Sequence, residues 1–153
     1  MSMYGRIAAA ALAIMGSTTV VGAGLRPPEP LFQKLPLDEA MGLASKKKRI
    51  VFVDFCTAWC GACKRLDEDT WTDARVIAQL KEKTIPLKID AEKELVIKEK
   101  YKINAYPTLL FLNGDGSILA RVVGYQIPER FLETLQGVVA RKGNRARKTQ
   151  DGH

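Results

Sequence analysis

The chain has 153 residues, 46% hydrophobic and 27% charged, with 24 Lys+Arg against 17 Asp+Glu and three cysteines. That apolar content and mixed charge exclude a disordered chain, and 12 Gly and 7 Pro are too few for a fibrous one. Three cysteines exclude a disulfide-dense scaffold, so the length reads as one ordinary soluble domain.

The net charge of +7 is unevenly placed. Arg141, Lys142, Arg145, Arg147 and Lys148, against Asp151, put much of the surplus in the last thirteen residues. Residues 141–153 have no apolar periodicity and read as a solvated, disordered basic tail that could touch an acidic surface. The rest of the chain is nearly balanced, and no nucleic-acid partner is expected.

At the N-terminus a short basic stretch ending at Arg6 precedes an apolar run from Ile7 to Met15, which Gly16-Ser17-Thr18-Thr19 interrupts. A run that short is the core of a signal peptide, and the small residues around Val21 and Ala23 suit cleavage after residue 23. The alternative is an uncleaved membrane anchor over 7–25. Either reading places the domain in the periplasm or outside the cell, where disulfides persist.

Residues 24–37 include Arg26-Pro27-Pro28-Glu29-Pro30 and read as an extended linker. Asp38 is expected to cap a helix over Glu39–Lys48, whose closing lysines suit the negative end of its dipole. Ile50–Phe55 is a strand buried on both faces. A helix from Cys60 to about Asp69 follows, and Thr72-Asp73 starts another with Val76, Ile77 and Leu80 at core spacing. Thr84–Asp90 is a second buried strand, and Glu92–Tyr101 a polar helix with Leu95, Val96 and Ile97 as its inner side. Thr108–Leu112 and Ser117–Val123 flank Asn113-Gly114-Asp115-Gly116, the signature of an antiparallel hairpin. Pro128 opens a closing helix through Phe131, Leu132, Leu135 and Val138. The fold class is α/β: a mixed central sheet of about four strands with helices on both faces, forming one domain over 38–140.

The cysteines carry the chemistry. Three placed at random form a Cys-x-x-Cys about 4% of the time. A Cys60–Cys63 disulfide closes too short a loop to be a useful staple. Zinc would need a second ligand pair, and the only histidine is His153. Covalent haem would need histidine where Lys64 stands, so no cofactor or metal is expected and redox chemistry remains. Behind a buried strand and at the start of a helix, Cys60 meets unpaired N–H groups and the positive dipole end, which stabilise a thiolate. Cys63, one turn later, is shielded. Lys64 and Arg65 read as exposed helix residues.

Val53-Asp54-Phe55, Trp59-Cys60-Gly61-Ala62-Cys63-Lys64, Ile89-Asp90, Lys100-Tyr101-Lys102-Ile103, Tyr106-Pro107-Thr108-Leu109 and Val123-Gly124 resemble the thioredoxin superfamily in order and spacing. Asp67-Glu68-Asp69-Thr70-Trp71-Thr72-Asp73 with Val76 is similar to the C-terminal domain of bacterial thiol:disulfide interchange reductases. The resemblance implies a thioredoxin fold and a protein-disulfide oxidoreductase with Cys60 as nucleophile, Cys63 as resolving thiol and Asp54 as buried proton acceptor. It implies a substrate surface of Trp59, Gly61, Ala62, Tyr106, Pro107 and Gly124, with Pro107 in cis. It also implies a monomer acting on protein disulfides and recycled by a separate electron donor, such as a membrane reductase.

Three departures from the thioredoxin pattern bear on the chemistry. Ala62 replaces a proline between the cysteines, which leaves the direction of electron flow open. Pro86 replaces a buried lysine, for which Lys88 on the same strand face is a substitute. Cys56 replaces an aromatic residue and reads as a small buried hydrophobe or as a third thiol able to form another disulfide. Competing functions are a disulfide oxidase or isomerase, and a Cu(I)-handling module using Cys56, Cys60 and Cys63.

Overall fold

The computed structural model describes residues 29–150. The expected signal peptide over 1–23 lies outside the described residues. Among those described, no helix is long and apolar enough to cross a membrane.

The apolar run Ile50–Cys56, rich in β-branched and aromatic residues, becomes a central strand (β1), and Thr84–Asp90 becomes the edge strand beside it (β2). The hairpin strands are Thr108–Leu112 (β3) and Ile118–Val123 (β4). The sheet runs β2-β1-β3-β4, with β1 parallel to β2 and the other pairs antiparallel. The helices are Leu37–Lys47 (α1), Gly61–Arg65 (α2), Ala74–Lys83 (α3), Leu95–Lys100 (α4) and Pro128–Gln150 (α5).

Strand alternation divides the core between the two faces. Val51, Val53 and Phe55 point with Ile85, Leu87 and Leu110 toward Ala40 and Ala44 of α1. Ile50 and Phe52 point with Leu109 and Phe111 toward Val76 and Leu80 of α3 and Phe131, Leu135 and Val138 of α5. Asp54 shares the parity of Ile50 and Phe52, so it is the one carboxylate directed into the second layer from β1.

Several local expectations are corrected. α1 begins at Leu37 behind Pro36, which has φ −56° and supplies no side-chain cap. Asp38 therefore falls inside the first turn, where it meets the positive end of the dipole instead of capping. Residues 31–36 are part of the domain rather than linker: Phe32 packs edge-on against Trp71 at 5.8 Å, and Gln33 N–H donates to the Pro86 carbonyl at 2.8 Å on the outer edge of β2. The helix after Cys60 stops at Arg65 and widens into a π-helical turn, Leu66–Thr70, closed by Trp71 N–H to the Leu66 carbonyl at 2.8 Å.

In α4, Leu95 and Val96 are 61% and 82% exposed, and only Ile97 packs against the core. Consecutive residues on a helix are about 100° apart, so three in a row cannot share an inner face. The tail expected to be disordered continues α5 to Gln150. Its Arg, Lys, Ala and Gln are strong helix formers and outnumber the weaker Gly143, Asn144 and Thr149. The cap at Asp73 is as expected: its side chain accepts from the N–H groups of Arg75 and Val76.

Candidate active site

The Cys60–Cys63 pair lies at the C-terminal ends of β1 and β2, where β3 begins and β4 ends. Cys60 is the N-cap of α2, with φ −75° and ψ 107°. Its Sγ accepts the Cys63 backbone N–H at 3.1 Å, the bond that favours a thiolate at this position once the sulfur is reduced. Cys60 and Cys63 form a disulfide with Cα atoms 5.3 Å apart. In this oxidised form both are buried, at 5% and 3% exposure. Gly61 is exposed at the start of the helix and Ala62 half-buried behind it.

Asp54 is fully buried, and burial, opposed by Lys88 and Trp71, pushes its pKa from 3.8 up to about 6. Trp71 Nε1 donates to Oδ2 at 3.0 Å, while Oδ1 receives no hydrogen bond. The π-helical turn delivers this indole, which sits edge-on against Phe52 at 5.6 Å and Phe131 at 4.9 Å. A tryptophan acting on Asp54 was not legible in the sequence, because the bond spans 17 positions and depends on the turn that carries it.

Lys88 occupies the role left vacant by Pro86. It is the direct cross-strand partner of Asp54, with Nζ 3.7 Å from Oδ2, and it also ion-pairs with Asp67 of the π turn. Half-burial works against its charge, but the two carboxylates outweigh burial and raise its pKa. A cavity of about 260 Å³ lies beside these groups, lined among others by Cys63, Cys56, Thr57, Asp67 and Lys88.

Cys56 is half-buried rather than buried, with Sγ 3.7 Å from the Ile89 carbonyl. Burial, reinforced by the negative charge of Asp54, pushes its thiol up to about 11. It is therefore protonated near neutral pH and a poor attacking group for an alternative disulfide. Among the described residues, no group of three or more Cys, His, Asp or Glu side chains is arranged to hold a metal ion.

The remaining expected residues gather at the same end of the sheet. Trp59 is 66% exposed, donates through Nε1 to Glu92 Oε1 at 2.9 Å and meets Tyr106 edge-on at 5.9 Å. The Tyr106–Pro107 peptide is cis. Gly124 N–H donates to the Pro107 carbonyl at 2.8 Å with φ +95°, a conformation that side chains rarely adopt. The following loop is clamped to the cysteine helix and π turn. Arg65 lies 4.2 Å above the Tyr125 ring, Tyr125 Oη donates to Asp69 at 2.8 Å, and Thr70 Oγ1 donates to the Gln126 carbonyl at 2.6 Å.

The thioredoxin-like domain family matches residues 37–138. The chain is 29% identical over 161 aligned positions to a thiol:disulfide interchange protein DsbD of Ralstonia nicotianae, covering 86% of this chain and 26% of that protein. The chain thus spans about a quarter of the length of that relative. A putative disulphide-isomerase of Bacteroides thetaiotaomicron shares the fold with a TM-score of 0.59 and 35% identity, over 70% of this chain and 91% of that one. The oxidised C-terminal domain of Neisseria meningitidis DsbD superposes with a TM-score of 0.57 at 23% identity, over 66% and 91% of the two chains. With the family's match covering the whole sheet and both cysteines, this chain belongs to the thioredoxin-like domain family.

Proposed function

We propose that the protein exchanges protein disulfides outside the cytoplasm, in the reducing direction, through Cys60 and Cys63. The observation that carries this reading is the Cys63 N–H bond to Cys60 Sγ at the helix cap, with the fully buried Asp54 carboxyl on the strand that leads into it.

In the reduced enzyme, Cys60 thiolate attacks one sulfur of a substrate disulfide. The Cys60–substrate bond forms, the substrate S–S bond breaks, and the departing thiolate takes a proton from solvent. Asp54, ionised above about pH 6, accepts the Cys63 proton through its unpaired Oδ1. Cys63 then attacks Cys60 Sγ and releases the second substrate thiolate. Two electrons have passed to the substrate, and the Cys60–Cys63 disulfide remains. A separate dithiol donor, such as a membrane reductase, reduces it for the next cycle.

Trp59, Tyr106, Pro107 and Gly124 give an extended substrate segment an aromatic platform beside backbone groups, with Gly61 and Ala62 leaving room above the disulfide. The unit acts as a monomer and uses no cofactor.

The reading is tested by following reduction of a disulfide-bonded protein substrate by wild type and Cys60→Ser. Loss of activity in the variant supports it, and retained activity overturns it. Equilibration of the Cys60–Cys63 pair with glutathione buffers fixes the direction. A potential near the thioredoxin value of about −270 mV supports a reductase, and one near about −120 mV makes the protein an oxidase.

A further inference from the structure

The end of the sheet opposite the disulfide collects basic side chains that the redox chemistry does not use. Register establishes the common location: β1 and β2 start side by side at Ile50 and Thr84. The C-terminus of α1 with Lys46, Lys47, Lys48 and Arg49 leads directly into β1, and the C-terminus of α3 with Lys81 and Lys83 leads directly into β2. Arg49 Nη1 donates to the Lys81 carbonyl at 3.1 Å, tying the two corners together.

The extension of α5 adds to the same pole. Lys142 Nζ donates to the Arg49 carbonyl, which brings the C-terminal part of α5, the stretch that carries Arg141 and Arg145, to the start of β1. Lys46, Lys47, Lys48, Arg141 and Arg145 are exposed. Three acids among the described residues border this region, Glu29, Glu82 and Asp115. Glu82 is paired with Lys83, and Asp115 lies in the β3–β4 turn, which packs on α1 so closely that a side chain at Gly114 would meet the Ser45 backbone at 2.9 Å.

The chain also enters the described structure here, since Lys81 Nζ donates to the Glu29 carbonyl at 2.7 Å. In the uncleaved chain, the alternative raised by the sequence, the apolar run Ile7–Met15 is joined to this pole through a short stretch of chain. The fourteen residues from Met15 to Glu29 reach at most about 50 Å when extended. β1 has seven residues, about 23 Å of strand, and holds the disulfide at the far end.

We propose that this basic pole is a docking surface for an anionic phospholipid bilayer, oriented so that the Cys60–Cys63 disulfide faces away from the lipid. A phosphate-rich partner suits the clustered cations, and in the uncleaved chain an apolar run within fourteen residues of the same pole favours a bilayer over nucleic acid. The proposal is independent of the direction of electron flow.

The test is flotation of the full chain with vesicles of phosphatidylcholine alone or with about 30% phosphatidylglycerol, at about 50 and about 300 mM salt. Binding to the neutral vesicles measures the contribution of the apolar run. The comparison is with a K46Q/K47Q/K48Q/R141Q/R145Q variant that retains its circular dichroism and disulfide reduction. Phosphatidylglycerol should strengthen wild-type binding in a salt-sensitive manner, and the variant should lose about a hundredfold of that gain. In the vesicle-bound, reduced protein, Cys60 should react with a bulky membrane-impermeant maleimide as fast as in free protein. Equal binding to both vesicle types, an unchanged gain in the variant, protection of Cys60, or displacement from the vesicles by short duplex DNA at equal phosphate would each overturn the proposal.

Discussion

Replacing Asp54 by Asn removes a charge that the fold holds at a cost. The carboxyl is completely buried, and its pKa stands at about 6 against an ordinary 3.8. Between those values the folded state binds more protons than the unfolded state, so stability falls as pH rises through this window and is level above it. The displacement corresponds to about 3 kcal/mol lost by pH 8. Asn keeps the shape, and its amide oxygen can still accept from Trp71 Nε1, so Asp54→Asn should be about 2–3 kcal/mol more stable at pH 8 and nearly equal to wild type at pH 4. Urea unfolding of the oxidised proteins from pH 4 to pH 8 measures this difference. A variant no more stable at pH 8, or a gain that grows toward acid, would refute the reasoning. Its reductase activity should fall at the same time, because Cys63 loses its proton acceptor.

Lys88→Gln removes the largest influence that opposes burial of the Asp54 charge, so the pH at which wild-type stability levels off should move above about 6, again read by unfolding against pH. In the oxidised protein Cys56 is the only free thiol, and with its pKa near 11 it should alkylate at pH 7.5 about a hundredfold more slowly than an ordinary cysteine, as iodoacetamide kinetics would show. Phe131→Ala opens a cavity among Phe52, Trp71 and Phe111 and should cost about 3–5 kcal/mol in denaturant unfolding, with a smaller effect on the pH dependence.

The strands and the cysteine helix were readable because their signals are local: a β-rich run ending at a Cys-x-x-Cys, a turn of Asn-Gly-Asp-Gly and a capping Asp73. The buried charge system was readable only in part. Asp54 stands out as a lone carboxylate in an apolar strand, and Lys88 shares its parity, but the Asp67 and Trp71 contacts depend on a π-helical turn with no local signature. Leu95 and Val96 look like core residues by composition, yet helix geometry turns them outward. The basic tail lacks apolar periodicity, so its helical continuation rests on intrinsic propensity and on the Lys142 bond to Arg49, a contact between positions 93 apart.

The exchange mechanism is tested most directly by incubating reduced Cys63→Ser protein with a disulfide-bonded peptide and reading the intact mass. The account predicts a stable one-to-one adduct whose linkage maps to Cys60 by peptide mapping, and no such adduct with Cys60→Ser. An adduct through Cys63 in Cys60→Ser, formed as fast as that through Cys60, would contradict the assignment of nucleophile and resolving thiol.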